Sequence, residues 1–159
     1  MIRKRNITHW LPVVLWMALI FFLSSQPASS SNSLSKGVTK IIIEILGRIL
    51  PIDIEISTVD DVISQFNHFV RKFAHFFAYM ILGIFVSNAF KKSGSKKVFI
   101  YSFIICVVYA ISDELHQFFV PGRGCQLKDV IIDSSGSFSG IFFTKEYFKY
   151  ANRYKRRQL

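Results

Sequence analysis

The sequence is poor in charged residues, and poorest in acidic ones. Charged residues occupy 19% of the 159 positions, whereas soluble domains contain about a quarter. The 10 Asp and Glu residues stand against 20 Lys and Arg, and 51% of all residues are hydrophobic. This hydrophobic content excludes a disordered basic tail. A soluble nucleic-acid-binding domain is also disfavoured, because it would keep its basic residues on one exposed face, whereas here basic runs alternate with apolar blocks.

Several motifs of metal and covalent chemistry are missing as well. The two cysteines, Cys106 and Cys125, form no CxxC pair. Cys106 falls deep in a predicted membrane span and Cys125 in a predicted external turn, too far apart for a disulfide. The sequence contains no His-Glu-x-x-His and no Gly-x-Ser-x-Gly motif. We therefore expect no cofactor.

Four apolar blocks predict an all-α fold, an integral membrane bundle of four transmembrane helices in a single domain. The blocks cover residues 7–24, 73–90, 98–120 and 127–143, and a helix needs about 17 to 25 such residues to cross a bilayer. The last block is the weakest because charged residues interrupt it, but its Gly136-x-x-x-Gly140 spacing lets membrane helices approach closely. The first block also resembles a signal peptide with small residues at 28–30. We interpret it as a retained span.

Runs of Lys and Arg predict the orientation, because short basic segments tend to stay in the cytoplasm. The runs lie at residues 3–5, 91–97 and 145–157. Four spans place all three runs on one side, with both termini in the cytoplasm and the protein in the plasma membrane. Nine of the ten acidic residues then fall on the external side. Anchoring at anionic lipid explains the basic runs better than nucleic-acid binding does.

Residues 25–72 form a predicted external segment between the first two spans. The stretch SSQPASSSNS at residues 24–33 has the composition of a flexible linker. Apolar residues then recur at spacings of three and four from Leu34 to Leu50, which predicts an amphipathic helix that ends at Pro51. We expect this helix to lie on the outer membrane surface or over the mouth of the bundle. Thr58 and Asp61 resemble a capping box that starts a helix leading into the second span.

Polar residues recur every four positions on three predicted spans, which places each set on one helix face. The sets are Asn67, Arg71, His75 and Tyr79 on the second span, Tyr109, Asp113 and Gln117 on the third, with Glu114 and His116 nearby, and Asp129 and Asp133 on the fourth. All three sets lie at the external ends. At about 1.5 Å per residue, His75, Asp113 and Asp133 each lie one turn inward and are expected to share a layer.

This polar layer has a structural and a ligand-binding interpretation. Charged groups within a span must be paired or reach water, so the sets could simply hold the bundle together through ion pairs and hydrogen bonds. Anion binding has the most support from residue type, because Arg71 and Arg123 can form forked hydrogen bonds to phosphate or carboxylate, and Lys72 adds charge. Lipid head groups are the nearest anions. Tyr79 and neighbouring Phe residues would then face an acyl chain.

Catalysis and metal binding are further alternatives. His75 or His116 could act as acid or base with Asp113 or Asp129 beside it. The same side chains with Asp133 could supply a zinc-like shell, but the ligands would have to come from three helices, and no metal is predicted. The predicted ligand-binding residues are Arg71, Lys72, His75, Tyr79, Asp113, Glu114, His116, Gln117, Arg123, Asp129 and Asp133.

The segment YAISDELHQFFVPGR at residues 109–123, followed by LKDV at 127–130 and Gly136, resembles the signature of the VanZ-like family of small membrane proteins. LSSQ at residues 23–26 and RKxxHxxxYxxLG at residues 71–83 resemble the other segments shared by that family. Asp133 departs from the Asn usual in the family, and the position of Arg71 is variable there. The resemblance implies a multispanning membrane protein that is associated, through the founding member, with low-level resistance to the lipoglycopeptide teicoplanin. It implies no established reaction.

We therefore expect a non-enzymatic membrane protein whose outward-facing pocket binds an amphiphile, such as a lipid head group or a lipoglycopeptide, and modulates susceptibility to teicoplanin. The alternative is an integral membrane hydrolase or transferase that acts on a lipid or cell-wall intermediate. A transporter is disfavoured because the inner halves of the spans are nearly bare of charge. The expected partner is the lipid bilayer and not nucleic acid.

Overall fold

A computed structural model of the chain describes residues 7–49 and 59–157. A 3₁₀ turn at Ile7–Trp10 leads into helices α1 (Leu11–Ser24), α2 (Ala28–Ile49), α3 (Val59–Lys92), α4 (Val98–Gln117) and α5 (Leu127–Arg157). The described residues contain no strand, which confirms the all-α prediction. Leu50, Pro51 and Thr58, on which the predicted helix end and the predicted capping box depend, lie outside these residues.

Two helical stretches within the described residues are long and apolar enough to cross a membrane, namely Phe69–Lys92 within α3 and Val98–Gln117, the whole of α4. Thr8–Ser24 and Ala28–Val38 are bent by 100° at a short break and could together make a third span. The block at residues 127–143 is not among these stretches, since Lys128, Asp129 and several serines lower its hydropathy. The length and composition of the helices thus support two or three spans.

The helix bounds differ from the predicted spans at several ends. The stretch that corresponds to the second predicted span begins at Phe69 rather than at residue 73. Helix α4 ends at Gln117 instead of reaching residue 120, because residues 118–120 turn before Pro121, where the backbone has no donor to continue the helix. Helix α5 does not end at residue 143 but continues through most of the basic segment predicted to be a tail. As predicted, α3 runs without a break from the segment predicted to be external into a candidate span.

The prediction of a flexible linker at residues 24–33 is wrong beyond Pro27, because α2 begins at Ala28. A proline just before a helix fixes φ at a helical value and sacrifices no hydrogen bond. The Ser33 hydroxyl donates to the carbonyl of Ser30 at 2.8 Å, so this serine bonds back to its own helix. The Ala28 N–H donates to the Pro121 carbonyl at 3.2 Å. The first turn of α2 therefore lies beside the turn that follows α4, at the mouth of the bundle.

Helices α3 and α5 pack with their backbones in contact. A Cβ on Gly136 would overlap the carbonyl oxygen of Phe76, and a Cβ on Gly140 would overlap that of Met80. In the opposite direction, a Cβ on Gly83 would lie 2.5 Å from the Ser137 carbonyl oxygen. Real Cβ atoms essentially never approach this closely, so only glycine fits at these positions. The small-residue spacing at residues 136 and 140 thus marks a close helix crossing, as predicted.

Helix α1 is joined to the bundle by the polar tips of aromatic side chains. The Trp16 indole N–H donates to the Ala78 carbonyl at 2.8 Å, and the Tyr109 hydroxyl donates to the Met17 carbonyl at 2.6 Å. Both bonds are partly buried, where losing a hydrogen bond costs most. They fix the depth of α1 relative to α3 and α4.

The outside of the bundle is strongly apolar. Large hydrophobic side chains with about half or more of their surface exposed occur on every described helix, including Leu15 and Phe22 on α1, Ile104 on α4 and Phe143 on α5. Exposed apolar surface on this scale indicates contact with lipid. Cys106 is buried and Cys125 exposed, and both are free thiols, as the sequence predicted.

We predict that Gly136→Ala and Gly140→Ala each lower the free energy of unfolding by about 1–3 kcal/mol, the usual effect of overpacking. The added methyl group meets backbone, which cannot rotate away as a side chain can. Unfolding of the purified protein in detergent, followed by circular dichroism, measures the change. Gly37→Ala is the matched control, because it lies in a helix with no atom within 4 Å of its added Cβ. Equal stability of the Gly140→Ala and Gly37→Ala variants would contradict the close crossing.

Candidate functional site

Three helices bring one ionisable side chain each to the same point, near the end of the bundle where α4 ends and α5 begins. His75 on α3, Asp113 on α4 and Asp133 on α5 each have a ring nitrogen or a carboxylate oxygen within 4.8 Å of those of the other two. His75 Nδ1 lies 3.5 Å from Asp133 Oδ1. The glycine crossing explains this pairing, because Gly136 lies against Phe76, and Asp133 is one turn before Gly136. The layer predicted from residue spacing is therefore formed.

Asp113 is held by a buried hydrogen-bond network that reaches α1. The Ser24 hydroxyl donates to Asp113 Oδ2 at 2.8 Å, and the Gln117 amide donates to the same oxygen at 3.2 Å. The Gln117 amide also lies 3.3 Å from the Ser24 hydroxyl oxygen. All three side chains are buried. The network orients the Asp113 carboxylate and joins the end of α1 to α4.

Two further acidic residues shape the mouth of this site. Glu114 is buried, and its Oε2 accepts the backbone N–H of Gln126 at 2.8 Å, which holds the turn between α4 and α5. Asp129, in the first turn of α5, forms an ion pair with Lys72 at 3.6 Å. A carboxylate is favoured at that end of a helix. These contacts connect α3, α4 and α5 above the buried layer.

A small cavity of about 80 Å³, here called the polar cavity, opens at this point. Its lining consists of Arg71, Lys72, His75, Gln117, Gly122, Arg123, Gly124, Gln126, Asp129, Ile132 and Asp133. Burial and the neighbouring charge of Arg71 lower the pKa of the Arg123 guanidinium, which still carries its charge because an arginine pKa starts at about 12.5 or above. Two like charges face the same small volume, so an anion placed between them would be stabilised.

A larger apolar cavity of about 320 Å³ adjoins the polar one. Its apolar lining comes from Ile20 and Leu23 of α1, Val38 of α2, and Val70, Ala74, Ala78 and Tyr79 of α3. Arg71, His75 and Arg123 line both cavities. The apolar volume lies within the range of about 300–1,000 Å³ that small-molecule sites occupy. The polar cavity and the apolar cavity therefore share a wall.

The structure separates two predicted residues from the polar cavity. The His116 ring stacks on Phe21, with ring centroids 4.3 Å apart, and does not line either cavity. Tyr79 is fully buried and lines the apolar cavity instead. The other predicted residues either line the polar cavity or, like Asp113 and Glu114, are buried beside it.

The predicted set lacks Ser24, as well as Gly122, Gly124, Gln126 and Ile132 of the polar cavity lining. Ser24 has the most chemistry of these. It is buried, bonds to Asp113 and lines the apolar cavity. Its place in the LSSQ segment, one of the stretches that resemble shared family segments, was the available signal. Residue spacing could not predict that Ser24 bonds to Asp113, because the two residues are 89 positions apart in the sequence.

We predict that Ser24→Ala lowers the free energy of unfolding by about 1.5–3 kcal/mol, the range for a hydrogen bond to a charged group. The carboxylate of Asp113 would stay buried with one donor fewer. Ser25→Ala is the matched control, because the Ser25 hydroxyl bonds only locally to the Phe22 carbonyl. Denaturation of both variants in detergent measures the difference, and a Ser24→Ala variant as stable as Ser25→Ala would rule out a stabilising network.

Comparison with known proteins assigns the chain to a family. The family model described as VanZ/LLP1 matches residues 9–149, a range that contains all of the predicted ligand-binding residues. No curated protein and no solved structure shows a significant match to the chain. The family match covers most of the sequence and agrees with the resemblance seen in its motifs. The chain belongs to the VanZ/LLP1 family.

Proposed function

We propose that the protein is a four-span plasma-membrane protein whose polar cavity faces outward and binds the anionic head of an amphiphile. The observation that carries this proposal is the wall of Arg71, His75 and Arg123 shared by the polar and apolar cavities. A ligand that joins an anionic group to a hydrocarbon chain would occupy both compartments. Water-soluble anions would use only the first.

The charges of the site favour this class of ligand. Lys72 is already paired with Asp129. Among the side chains that the structure describes, no ion pair links Arg71 or Arg123 to a carboxylate, and Arg123 donates only one N–H, to the Leu23 carbonyl at 3.5 Å. Their guanidinium groups are therefore available for forked hydrogen bonds to phosphate or carboxylate. The carboxylates of Asp113 and Asp133 lie deeper and repel an anion, so the head group would stay at the level of the arginines.

A lipoglycopeptide has the same combination of a polar head and an acyl chain. We propose that binding such a molecule, or the lipid beside which it acts, is how this protein modulates susceptibility to teicoplanin. Expression of the protein should then raise resistance to teicoplanin more than resistance to a glycopeptide without an acyl chain. An equal effect on the two antibiotics would argue against use of the apolar cavity.

The orientation can be tested with the native thiols. In the proposed topology the exposed Cys125 faces outward and the buried Cys106 is protected, so a membrane-impermeant maleimide should label intact cells through Cys125 alone. Cys125→Ser should abolish this labelling. Asn152→Cys in that background, on the exposed end of α5, should react only after permeabilisation. Labelling of Asn152→Cys in intact cells would exclude a cytoplasmic carboxyl terminus.

Binding of the amphiphile can be tested by removing both guanidinium groups. The double variant Arg71→Ala and Arg123→Ala should bind phosphatidylglycerol at least about tenfold more weakly, since each charge-assisted hydrogen bond contributes about 1.5–3 kcal/mol. Native mass spectrometry of the protein in detergent, titrated with this lipid and with phosphatidylcholine, measures the loss. Arg153→Ala, on the exposed basic end of α5, is the control. Equal binding by the double variant and the control would refute the site.

One observation favours the enzymatic alternative, a hydrolase or transferase. The Ser24 hydroxyl lines the apolar cavity and donates to Asp113 Oδ2. A carboxylate so placed could accept its proton as the oxygen attacks an ester carbonyl, and return the proton to the alcohol that leaves when the ester C–O bond breaks. Incubating the protein in nanodiscs with labelled envelope lipids, followed by mass spectrometry, separates the two functions. An enzyme yields product that Ser24→Ala no longer forms, while a binding protein returns the lipid unchanged.

A further inference from the structure

The geometry points to a divalent metal site formed by His75, Asp113 and Asp133 at the floor of the polar cavity, with a zinc- or manganese-type ion as its occupant. The inference goes beyond the proposed binding of an amphiphile and does not depend on it. Each of α3, α4 and α5 would contribute one ligand.

The separation of His75 and Asp133 fits a shared ion better than a direct hydrogen bond. Their nearest atoms, Nδ1 and Oδ1, are 3.5 Å apart, whereas N–H···O hydrogen bonds measure about 2.7–3.2 Å. Two ligand atoms at about 2.0–2.1 Å from a tetrahedral zinc ion are roughly 3.3–3.4 Å apart. Asp113 has a carboxylate oxygen within 4.8 Å of both ligand atoms, so the third side chain lies beside the other two.

Unpartnered oxygens give a second, independent indication. Asp133 is fully buried, and apart from the ion-pair contact of Oδ1 with His75 Nδ1 at 3.5 Å, neither of its carboxylate oxygens has a hydrogen-bond partner among the described residues. Asp113 Oδ1 also has no hydrogen-bond partner among the described residues, whereas Asp113 Oδ2 accepts hydrogen bonds from Ser24 and Gln117. Buried carboxylates without partners are costly, and burial of charge is normally compensated by pairing or by a metal. A cation between Asp113 and Asp133 would provide that compensation.

The Ser24 and Gln117 bonds to Asp113 have the form of outer contacts that orient a metal ligand. Ligating carboxylates are usually held by hydrogen bonds to their other oxygen, and losing such contacts weakens metal binding. Here both donors reach Oδ2, which leaves Oδ1 available. The site would therefore be preorganised by the same network that joins α1 to α4.

The type and number of ligands select the ion. One imidazole and two carboxylates suit zinc, manganese or iron, whereas calcium and magnesium prefer oxygen ligands alone. Two aspartates balance a divalent charge when His75 is neutral. The other charged residues beside this group are Arg71, Lys72, Arg123 and Asp129, which line the polar cavity, and the buried Glu114. With three protein ligands, the remaining coordination position would be open to the polar cavity, because both His75 and Asp133 line it.

Metal binding by the full-length protein in detergent tests the inference. After removal of bound metal with a chelator and dialysis, the wild-type protein should bind about one equivalent of Zn²⁺ or Mn²⁺ per chain, measured by elemental mass spectrometry. His75→Gln and Asp133→Asn should each weaken this binding by at least about tenfold. Glu146→Gln is the control, because Glu146 lies on α5 away from the polar cavity and pairs with Lys149, and this variant should bind metal like the wild type.

Substitution with Co²⁺ provides a measurement that does not rely on variants. A bound Co²⁺ ion with nitrogen and oxygen ligands should give visible absorption bands in the wild-type protein and in the Glu146→Gln control. Absence of stoichiometric Zn²⁺, Mn²⁺ and Co²⁺ binding in the wild type, or equal affinity in His75→Gln, Asp133→Asn and the control, would overturn the inference. Titrating the metal-stripped protein with lipid tests the proposed amphiphile site by itself. Failure of metal binding can therefore be told apart from failure of lipid binding.

Discussion

Contact between the backbones of α3 and α5 is the constraint on which the rest of this structure depends. Gly136 and Gly140 on one helix and Gly83 on the other leave no room for a Cβ at the crossing. A contact of this kind fixes both the distance between two helices and their register, because a glycine in contact with a particular carbonyl cannot slide by a residue without a clash. The register places His75 opposite Asp133. The polar site is thus determined by packing that lies one turn below it.

The charged groups of the site are arranged in two levels with different surroundings. The deeper level holds Asp113 and Asp133, which are nearly inaccessible to solvent. The outer level holds Arg71, Arg123 and the Lys72–Asp129 pair, all partly exposed. Bringing carboxylates inside a membrane helix bundle costs several kcal/mol unless each is compensated. Hydrogen bonds from Ser24 and Gln117 reach one oxygen of Asp113. The other Asp113 oxygen and both oxygens of Asp133 have no such donor, and a bound cation would offset their negative charge.

The local features of this chain were predictable from the sequence, and the long-range ones only in part. Periodicity of four placed His75, Asp113 and Asp133 on single faces, and the basic runs gave each helix a direction, so their common layer followed from helix geometry alone. Composition misled at residues 28–33, because a serine-rich stretch after a proline can form a helix when its first turn has tertiary partners such as the Pro121 carbonyl. Ser24 and the stacking of His116 on Phe21 depend on side-chain orientation between helices, which no local spacing encodes.

The length of α3 has a consequence for how a ligand would arrive. Arg71 precedes Lys92 by 21 residues, which is about 31 Å along a helix and close to the roughly 30 Å thickness of a hydrocarbon core. With Lys92 at the inner surface, as proposed, Arg71 lies at the height of the outer phospholipid head groups, and the apolar cavity beside it lies level with the upper acyl chains. An amphiphile of the outer leaflet would therefore reach the site by lateral diffusion, without passing through water. The fraction of sites that it occupies would then depend on competition with the surrounding lipids. The relevant concentration is therefore its mole fraction in the membrane.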